Sequence, residues 1–105
     1  MTKEKSSSIQ QLIQLFREEK YFELHDELEI LWTNYDLQEN TLKGKTTKHK
    51  LQAVIQLSVA LHHLKNENLK GCEILLQKAS SKLEKSICNQ LSAKTEIENF
   101  LNDLL

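Results

Sequence analysis

The chain has 105 residues, with 14 Lys or Arg against 15 Asp or Glu and a formal net charge of −1 at pH 7. This length predicts one domain that buries its own core. The near-neutral charge and the scattered basic residues argue against a nucleic-acid or membrane partner. Because the chain has no proline and only two glycines, its composition indicates an all-α fold, a compact bundle of about five helices.

The N-terminus and the cysteines indicate the compartment. Residues 1–8 contain no apolar run, which predicts the absence of a signal peptide, and no stretch approaches the roughly 20 apolar residues of a membrane span. We therefore expect a cytoplasmic protein, or a stromal one if the gene is plastid-encoded. Cys72 and Cys88 lack the spacing of metal ligands, so we expect reduced thiols packed between helices. Residues 1–7 are expected to be disordered.

Apolar residues that recur at helical spacing predict five helices in the chain. Their expected ranges are 8–19, 21–36, 47–66, 68–87 and 93–104, and residues 37–46, which contain Gly44, are expected to form a loop. The third helix is apolar on nearly every side, which predicts a central position in the bundle. The fourth helix is expected to turn one set of residues inward: Leu69, Cys72, Leu76, Ala79 and Leu83.

Two residues near the start of the fourth helix have expected structural roles. Asn68 is a good N-cap. Gly71 costs about 1 kcal/mol relative to Ala within a helix, so we expect it to permit close approach to the third helix. Elsewhere, Ile30 and Ile87 are expected to be exposed and hint at self-association, although single exposed apolar residues are normal.

The second helix carries the most informative pattern in the chain. His25, Glu29 and Trp32 stand at positions i, i+4 and i+7, which places them on one helix face, beside an apolar stripe. A buried polar group without a partner costs roughly 1–3 kcal/mol. We therefore expect partners for His25 and Glu29 from another helix.

The third helix offers those partners. Gln52, Gln56 and His63 fall within about 40° of one another on a helix that is otherwise apolar. We expect the two polar stripes to face each other, which gives a buried polar cluster of His25, Glu29, Trp32, Gln52, Gln56 and His63.

Three interpretations of this cluster remain open. The glutamines both donate and accept hydrogen bonds, so the cluster can be a purely structural network. His25, Glu29 and His63 can instead supply the two-His, one-carboxylate set of an iron or zinc site, but no metal is favoured because Gln is a poor transition-metal ligand. The third interpretation is a metal-free pocket for a small ligand or a substrate, with Glu29 or His25 as a general base.

The same residues resemble a known family. The pattern His25-x-x-x-Glu29-x-x-Trp32 resembles the His-x-x-x-Glu-x-x-Trp signature of domain of unknown function family 309, small helical proteins of bacteria, archaea and plastid lineages. Three aromatic residues of this chain precede the motif as they do in the family: Phe16, Tyr21 and Phe22.

A second block of the chain is similar to the same family in order and spacing. Leu51-Gln52-x-x-Ile55-Gln56, followed by Ala60 and His63, resembles the family's Leu-Gln-x-x-Ile-Gln-x-x-x-Ala…His stretch, and the resemblance extends over about residues 16–83. Asn68-x-x-Gly71 resembles its Gly-Asn-x-x-Gly turn. The chain departs from the family's usual residues at four positions: Lys20, Asp26, Ala53 and Glu67.

The resemblance implies a single all-helical domain and carries no established activity. We expect a non-catalytic binding or interaction protein without a cofactor, with a small polar ligand or a protein as its partner. The alternative is a metal-dependent, hydrolase-like enzyme that uses His25, Glu29 and His63.

Overall fold

The computed structural model describes the backbone of residues 9–38 and 42–104, and the side chains of residues 9–33 and 48–104. The described residues form five α-helices: α1 (Ile9–Arg17), α2 (Tyr21–Gln38), α3 (Leu42–Lys65), α4 (Leu69–Leu83) and α5 (Gln90–Asp103). Within these ranges the structure contains no strand, so the all-α prediction is confirmed. No helix in the described ranges has the length and hydropathy of a membrane span. The expectation of disorder falls on residues 1–7, which lie outside the described residues.

The connection between α2 and α3 differs from the prediction. A loop was expected over residues 37–46, but α2 continues to Gln38 and α3 already begins at Leu42, while residues 39–41 lie outside the described part of the chain. Helices propagate cheaply once a turn has formed, since each further residue adds one hydrogen bond. The loss of apolar periodicity in residues 37–46 therefore does not mark the ends of the two helices.

Helix α3 lies in the centre of the bundle, as its apolar sequence predicts. It packs against α2, α4 and α5, and α1 closes the other side against α2 and α5. Among the residues of α3 whose side chains are described, eight are buried, and the only polar side chain of these eight, that of Ser58, donates to the carbonyl oxygen of Val54 at 3.0 Å. The apolar residues of α3 in the core are Leu51, Ala53, Val54, Ile55, Leu57, Ala60 and Leu61.

The start of α4 confirms the predicted cap. The side-chain oxygen of Asn68 accepts a hydrogen bond from the backbone N–H of Gly71 at 3.0 Å. A Cβ at position 71 would lie 2.6 Å from Nδ2 of Asn68 and 3.0 Å from Cδ2 of His63, so Gly71 makes room for the capping side chain as well as for α3. The prediction that Leu69 points inward was wrong: its side chain is 67% exposed, because the chain turns at Asn68 and the first residue of α4 faces solvent.

The connection from α4 to α5 is fixed by one serine. The hydroxyl of Ser80 accepts from the backbone N–H of Ile87 at 2.9 Å and contacts its carbonyl oxygen at 3.2 Å. This contact holds Ile87 against the core with only 3% exposure, so the prediction of an exposed Ile87 in a longer fourth helix was wrong. Helix α5 then begins with a capping box formed by Asn89 and Ser92.

Three glutamates that follow the ends of helices have a left-handed backbone conformation. Glu19, Glu67 and Glu84 have φ values of 59°, 63° and 56°. At the end of α3, the backbone N–H of Asn68 donates to the carbonyl oxygen of His63 at 2.7 Å, which is the hydrogen bond that a left-handed residue at the preceding position allows. Glycine adopts this conformation without the steric cost that glutamate bears.

Candidate functional site

A cavity of about 340 Å³ lies between α2 and α3. Six residues line it: Glu29, Trp32 and Thr33 from α2, and Gln52, Ile55 and Gln56 from α3. We call it the α2–α3 cavity. Its volume falls at the lower end of the range for small-molecule sites, about 300–1,000 Å³. Four of the six residues that the sequence proposed as a cluster therefore surround one space: Glu29, Trp32, Gln52 and Gln56.

Two buried polar atoms belong to residues in the cavity wall. The indole nitrogen Nε1 of Trp32 and the side-chain oxygen Oε1 of Gln56 are both shielded from solvent, and neither has a hydrogen-bond partner among the described residues. Nε1 carries a hydrogen and only donates, whereas Oε1 only accepts. The two residues therefore hold one unused donor and one unused acceptor behind the surface of the cavity.

Trp32 also meets a cation on its ring face. Lys48 is the first residue of α3 whose side chain is described, and its ammonium lies 4.3 Å from the ring centroid of Trp32. A cation at this distance is attracted by the electron-rich face of the indole. The contact holds the indole plane in place while its N–H edge remains without a partner.

Glu29 is not buried as the sequence indicated. Its side chain is 58% exposed, and the cavity meets solvent at this residue. Leu24 and Leu28 fill the buried face of α2, and Glu29 stands 100° around the helix from Leu28. An ionised carboxylate is costly to desolvate, so the exposed edge of the helix interface is the favourable place for it.

His25 lies beside the cavity and interacts with its own helix. Its Nε2 is 3.5 Å from Oε2 of Glu29, and its Nδ1 is 3.4 Å from Oδ1 of Asp26 and 3.2 Å from the carbonyl oxygen of Phe22. The side chain is only 17% exposed, because the ring of Phe22 packs against it with a centroid separation of 5.2 Å. His25 is thus placed to orient Glu29 at the rim of the cavity.

His63 faces α4. Its Nδ1 is 3.3 Å from Nδ2 of Asn68. Because Oδ1 of Asn68 accepts from Gly71, the amide nitrogen must be the atom that faces His63, and Nδ1 of His63 accepts from it. The neighbouring His62 is the histidine that reaches α2, with its ring 5.2 Å from that of Phe22. The sequence pattern assigned the contact with α2 to His63, whereas the structure gives the contact with Phe22 to His62.

The positions of the possible metal-ligating atoms bear on the hypothesis of a metal site. Within the described residues, the group of His, Cys, Asp and Glu side chains whose ligand atoms lie within 4.8 Å of one another is His25, Asp26 and Glu29. His63 is not in that group. Asp26 and Glu29 are exposed, and exposed carboxylates on one helix face are an ordinary surface feature.

Three residues that matter at the cavity were not proposed from the sequence. Thr33 and Ile55 line it, and Lys48 covers the indole face. Thr33 follows Trp32 directly, and its hydroxyl donates to the carbonyl oxygen of Glu29 at 3.1 Å. Ile55 reads as an ordinary core residue of an apolar helix, and Lys48 lies in a polar stretch, so neither gave a signal in a single sequence.

The family model described as "Domain of unknown function (DUF309)" matches residues 9–75 of the chain. The chain belongs to this family. No curated protein matches it, and no solved structure does either. The part that matches the DUF309 model contains α1, α2, α3 and the first half of α4, and so includes every residue of the α2–α3 cavity. Helix α5 follows the matched region.

Membership of DUF309 confirms the resemblance and assigns no activity. The chemistry of the α2–α3 cavity therefore follows from the side chains of this chain.

Proposed function

We propose that this protein binds a small polar molecule in the α2–α3 cavity without transforming it. One observation carries the proposal: the indole N–H of Trp32 and Oε1 of Gln56 are buried without partners, and both residues line the cavity. An unsatisfied buried polar atom costs about 1–3 kcal/mol. When the side chains of Trp32 and Gln56 turn these atoms toward the cavity, a ligand that pairs with both removes this cost, so the cavity favours a molecule with a matching edge.

The complementary edge defines the ligand class. A carboxamide or ureido group carries a carbonyl oxygen beside an N–H, so its oxygen accepts from Trp32 and its N–H donates to Gln56. The carboxylate of Glu29 at the rim favours a positive group on the same molecule, and Ile55 favours a short methylene chain between the two groups. An amide that carries an alkylammonium group combines these features.

The residues of the cavity wall support binding more than catalysis. The hydroxyl of Thr33 donates to a backbone carbonyl and not to a base, so it is not set up as an activated nucleophile. The amides of Gln52 and Gln56 do not titrate and serve to orient a ligand. His25 and Glu29 sit at the rim, where their contact fixes the position of the carboxylate.

The proposal is tested by titration with 4-aminobutanamide, followed by fluorescence of Trp32, the single tryptophan of the chain. A ligand this small is expected to bind with a dissociation constant of about 1 mM. Methyl 4-aminobutanoate lacks the amide N–H, and butanamide lacks the ammonium, so both are expected to bind more weakly. Removal of one hydrogen bond to a neutral partner corresponds to about a tenfold loss.

A matched pair of variants locates the binding. Gln56→Met keeps the length of the side chain and removes the acceptor, so it should abolish the preference for the amide over the ester. Lys78→Met, an exposed position on α4, should leave the titration unchanged. If none of the three compounds changes the fluorescence or the melting temperature, the cavity is a structural feature filled by solvent and the proposal fails.

A further inference from the structure

A second and larger concavity lies away from the α2–α3 cavity. It has a volume of about 850 Å³ and runs between α4 and the connection that leads into α5. We call it the α4–α5 groove. Its apolar wall contains Leu69, Cys72 and Leu76 on one side and Ile87 on the other. None of these residues lines the α2–α3 cavity, so the proposed ligand site leaves this groove unexplained.

Two leucines protrude beside this groove. Leu91 is 75% exposed and Leu69 is 67% exposed, the largest values among the exposed large hydrophobic residues of the described chain. Leu69 lines the groove, and Leu91 follows Gln90, which also lines it. Exposed apolar residues that adjoin an apolar concavity are typical of protein–protein interfaces. The same face thus carries both a cavity and the side chains that could fill one.

The charges of the groove wall point to its occupant. Lys70 and Glu73 both line it, and neither forms an ion pair within the described part of the chain. A partner surface with charges of a single sign would form an ion pair with only one of these two residues. A second copy of the same surface satisfies both, because across a two-fold axis Lys70 of each copy pairs with Glu73 of the other copy, so the same ion pair forms twice.

We propose that the α4–α5 groove is the interface of a two-fold symmetric homodimer of this chain. Leu91 of one protomer enters the groove of its partner, and Lys70 pairs with Glu73 of the partner subunit. The pairing is reciprocal, so one interface buries two leucines and forms two ion pairs. The proposal is independent of the ligand site, since it uses none of the residues of the α2–α3 cavity.

The test is the molar mass in solution, measured by sedimentation velocity over a range of protein concentrations up to about 1 mM, where even an association of millimolar strength is populated. The wild-type chain should reach twice its mass of 12.2 kDa. Leu91→Glu should return it to the monomer mass, with at least a hundredfold weaker association. Leu91 lies in the first turn of α5, where a glutamate favours the helix, so this variant keeps its fold.

Two controls make the test specific to the groove. Ile30→Glu makes the same kind of change at a 44% exposed residue of α2 and should leave the dimer intact. Lys70→Glu and Glu73→Lys should each weaken association about tenfold, and the double variant should restore it, because the exchanged charges again match across a two-fold axis. A wild-type chain that stays monomeric at all concentrations overturns the proposal. The proposal is also overturned if the dimer persists in Leu91→Glu but is lost in Ile30→Glu.

Discussion

Trp32 and Gln56 stand on neighbouring helices and line one cavity, while the indole N–H of Trp32 and the amide oxygen of Gln56 are buried without a hydrogen-bond partner among the described residues. A core selected only for stability would pair these groups or replace them with apolar ones. Their position beside a ligand-sized cavity supports the proposed binding role.

Replacement of Gln56 should separate stability from binding. Gln56→Met removes an unsatisfied buried acceptor and keeps the volume of the side chain, so the free energy of unfolding should stay level or rise by about 1 kcal/mol. Binding of 4-aminobutanamide should weaken about tenfold in the same variant. Urea denaturation, followed by the fluorescence of Trp32, measures the first effect. A loss of 2 kcal/mol or more, as expected for a broken buried hydrogen-bond network (about 1–3 kcal/mol), would contradict this assignment.

The fold could be predicted further than the site could. The apolar sequence of α3 identified its central position, because burial of apolar residues at helical spacing dominates the energetics. The spacing of His25, Glu29 and Trp32 likewise placed them on one face. It could not show that α2 packs on α3 through Leu24 and Leu28, which leaves Glu29 at the edge.

His62 and His63 illustrate a second limit. Adjacent residues of a helix point about 100° apart, and the sequence alone favoured His63 as the partner of the motif. The structure turns His63 toward Asn68 and His62 toward Phe22. This outcome depends on how the turn at Asn68 directs α4, which is a tertiary feature that no local pattern contains. Leu69 and Ile87 were misplaced for the same reason, since both stand beside a turn.

Replacement of a glutamate that has the left-handed backbone conformation should stabilise the fold. At Glu67, with φ of 63°, substitution by glycine removes steric strain and should raise the free energy of unfolding by about 1 kcal/mol. For a domain of this size that corresponds to a rise in melting temperature of roughly 4–8 °C. Glu98→Gly, the same exchange at an exposed position inside α5, should cost about 1 kcal/mol. Equal losses in both variants would show that the strain at Glu67 is not released.

Gly71 should be intolerant of alanine because of its neighbours. A Cβ there would collide with Nδ2 of Asn68, 2.6 Å away, so Gly71→Ala should cost about 1 kcal/mol or more, although alanine is the better helix former. In the Asn68→Ala background the main obstacle is gone, and the second substitution should cost much less. The double-mutant cycle measures this coupling. Strict additivity of the two losses would show that the cap does not depend on the missing Cβ.

The titration of Tyr21 and Lys94 should make the fold less stable at alkaline pH. Burial raises the pKa of the Tyr21 hydroxyl, with the Lys94 ammonium opposing part of the shift. Desolvation lowers the pKa of Lys94, but the nearby Tyr21 hydroxyl and the Glu19 carboxylate, 3.4 Å away, outweigh it and raise that pKa overall. A group with a raised folded-state pKa stabilises the fold below its ordinary pKa and loses that contribution as the pH rises. The fold therefore loses the stabilising contributions of both groups above about pH 10.

Tyr21→Phe tests this contribution. The variant keeps the ring that contacts Phe16 and removes the titrating hydroxyl. The difference in unfolding free energy between pH 7 and pH 11, measured by urea denaturation, should be smaller in Tyr21→Phe than in the wild-type chain. Identical pH dependence in the two proteins would show that Tyr21 does not contribute to alkaline unfolding.

The most direct test of the binding role observes the indole proton of Trp32 itself. The chain has one tryptophan, so a ¹H–¹⁵N spectrum contains a single indole cross-peak. On titration with 4-aminobutanamide this cross-peak should move downfield and saturate, because a carbonyl oxygen becomes the partner of the N–H, while methyl 4-aminobutanoate should produce a smaller shift at the same concentration. An indole cross-peak that stays in place throughout the amide titration would contradict the binding role.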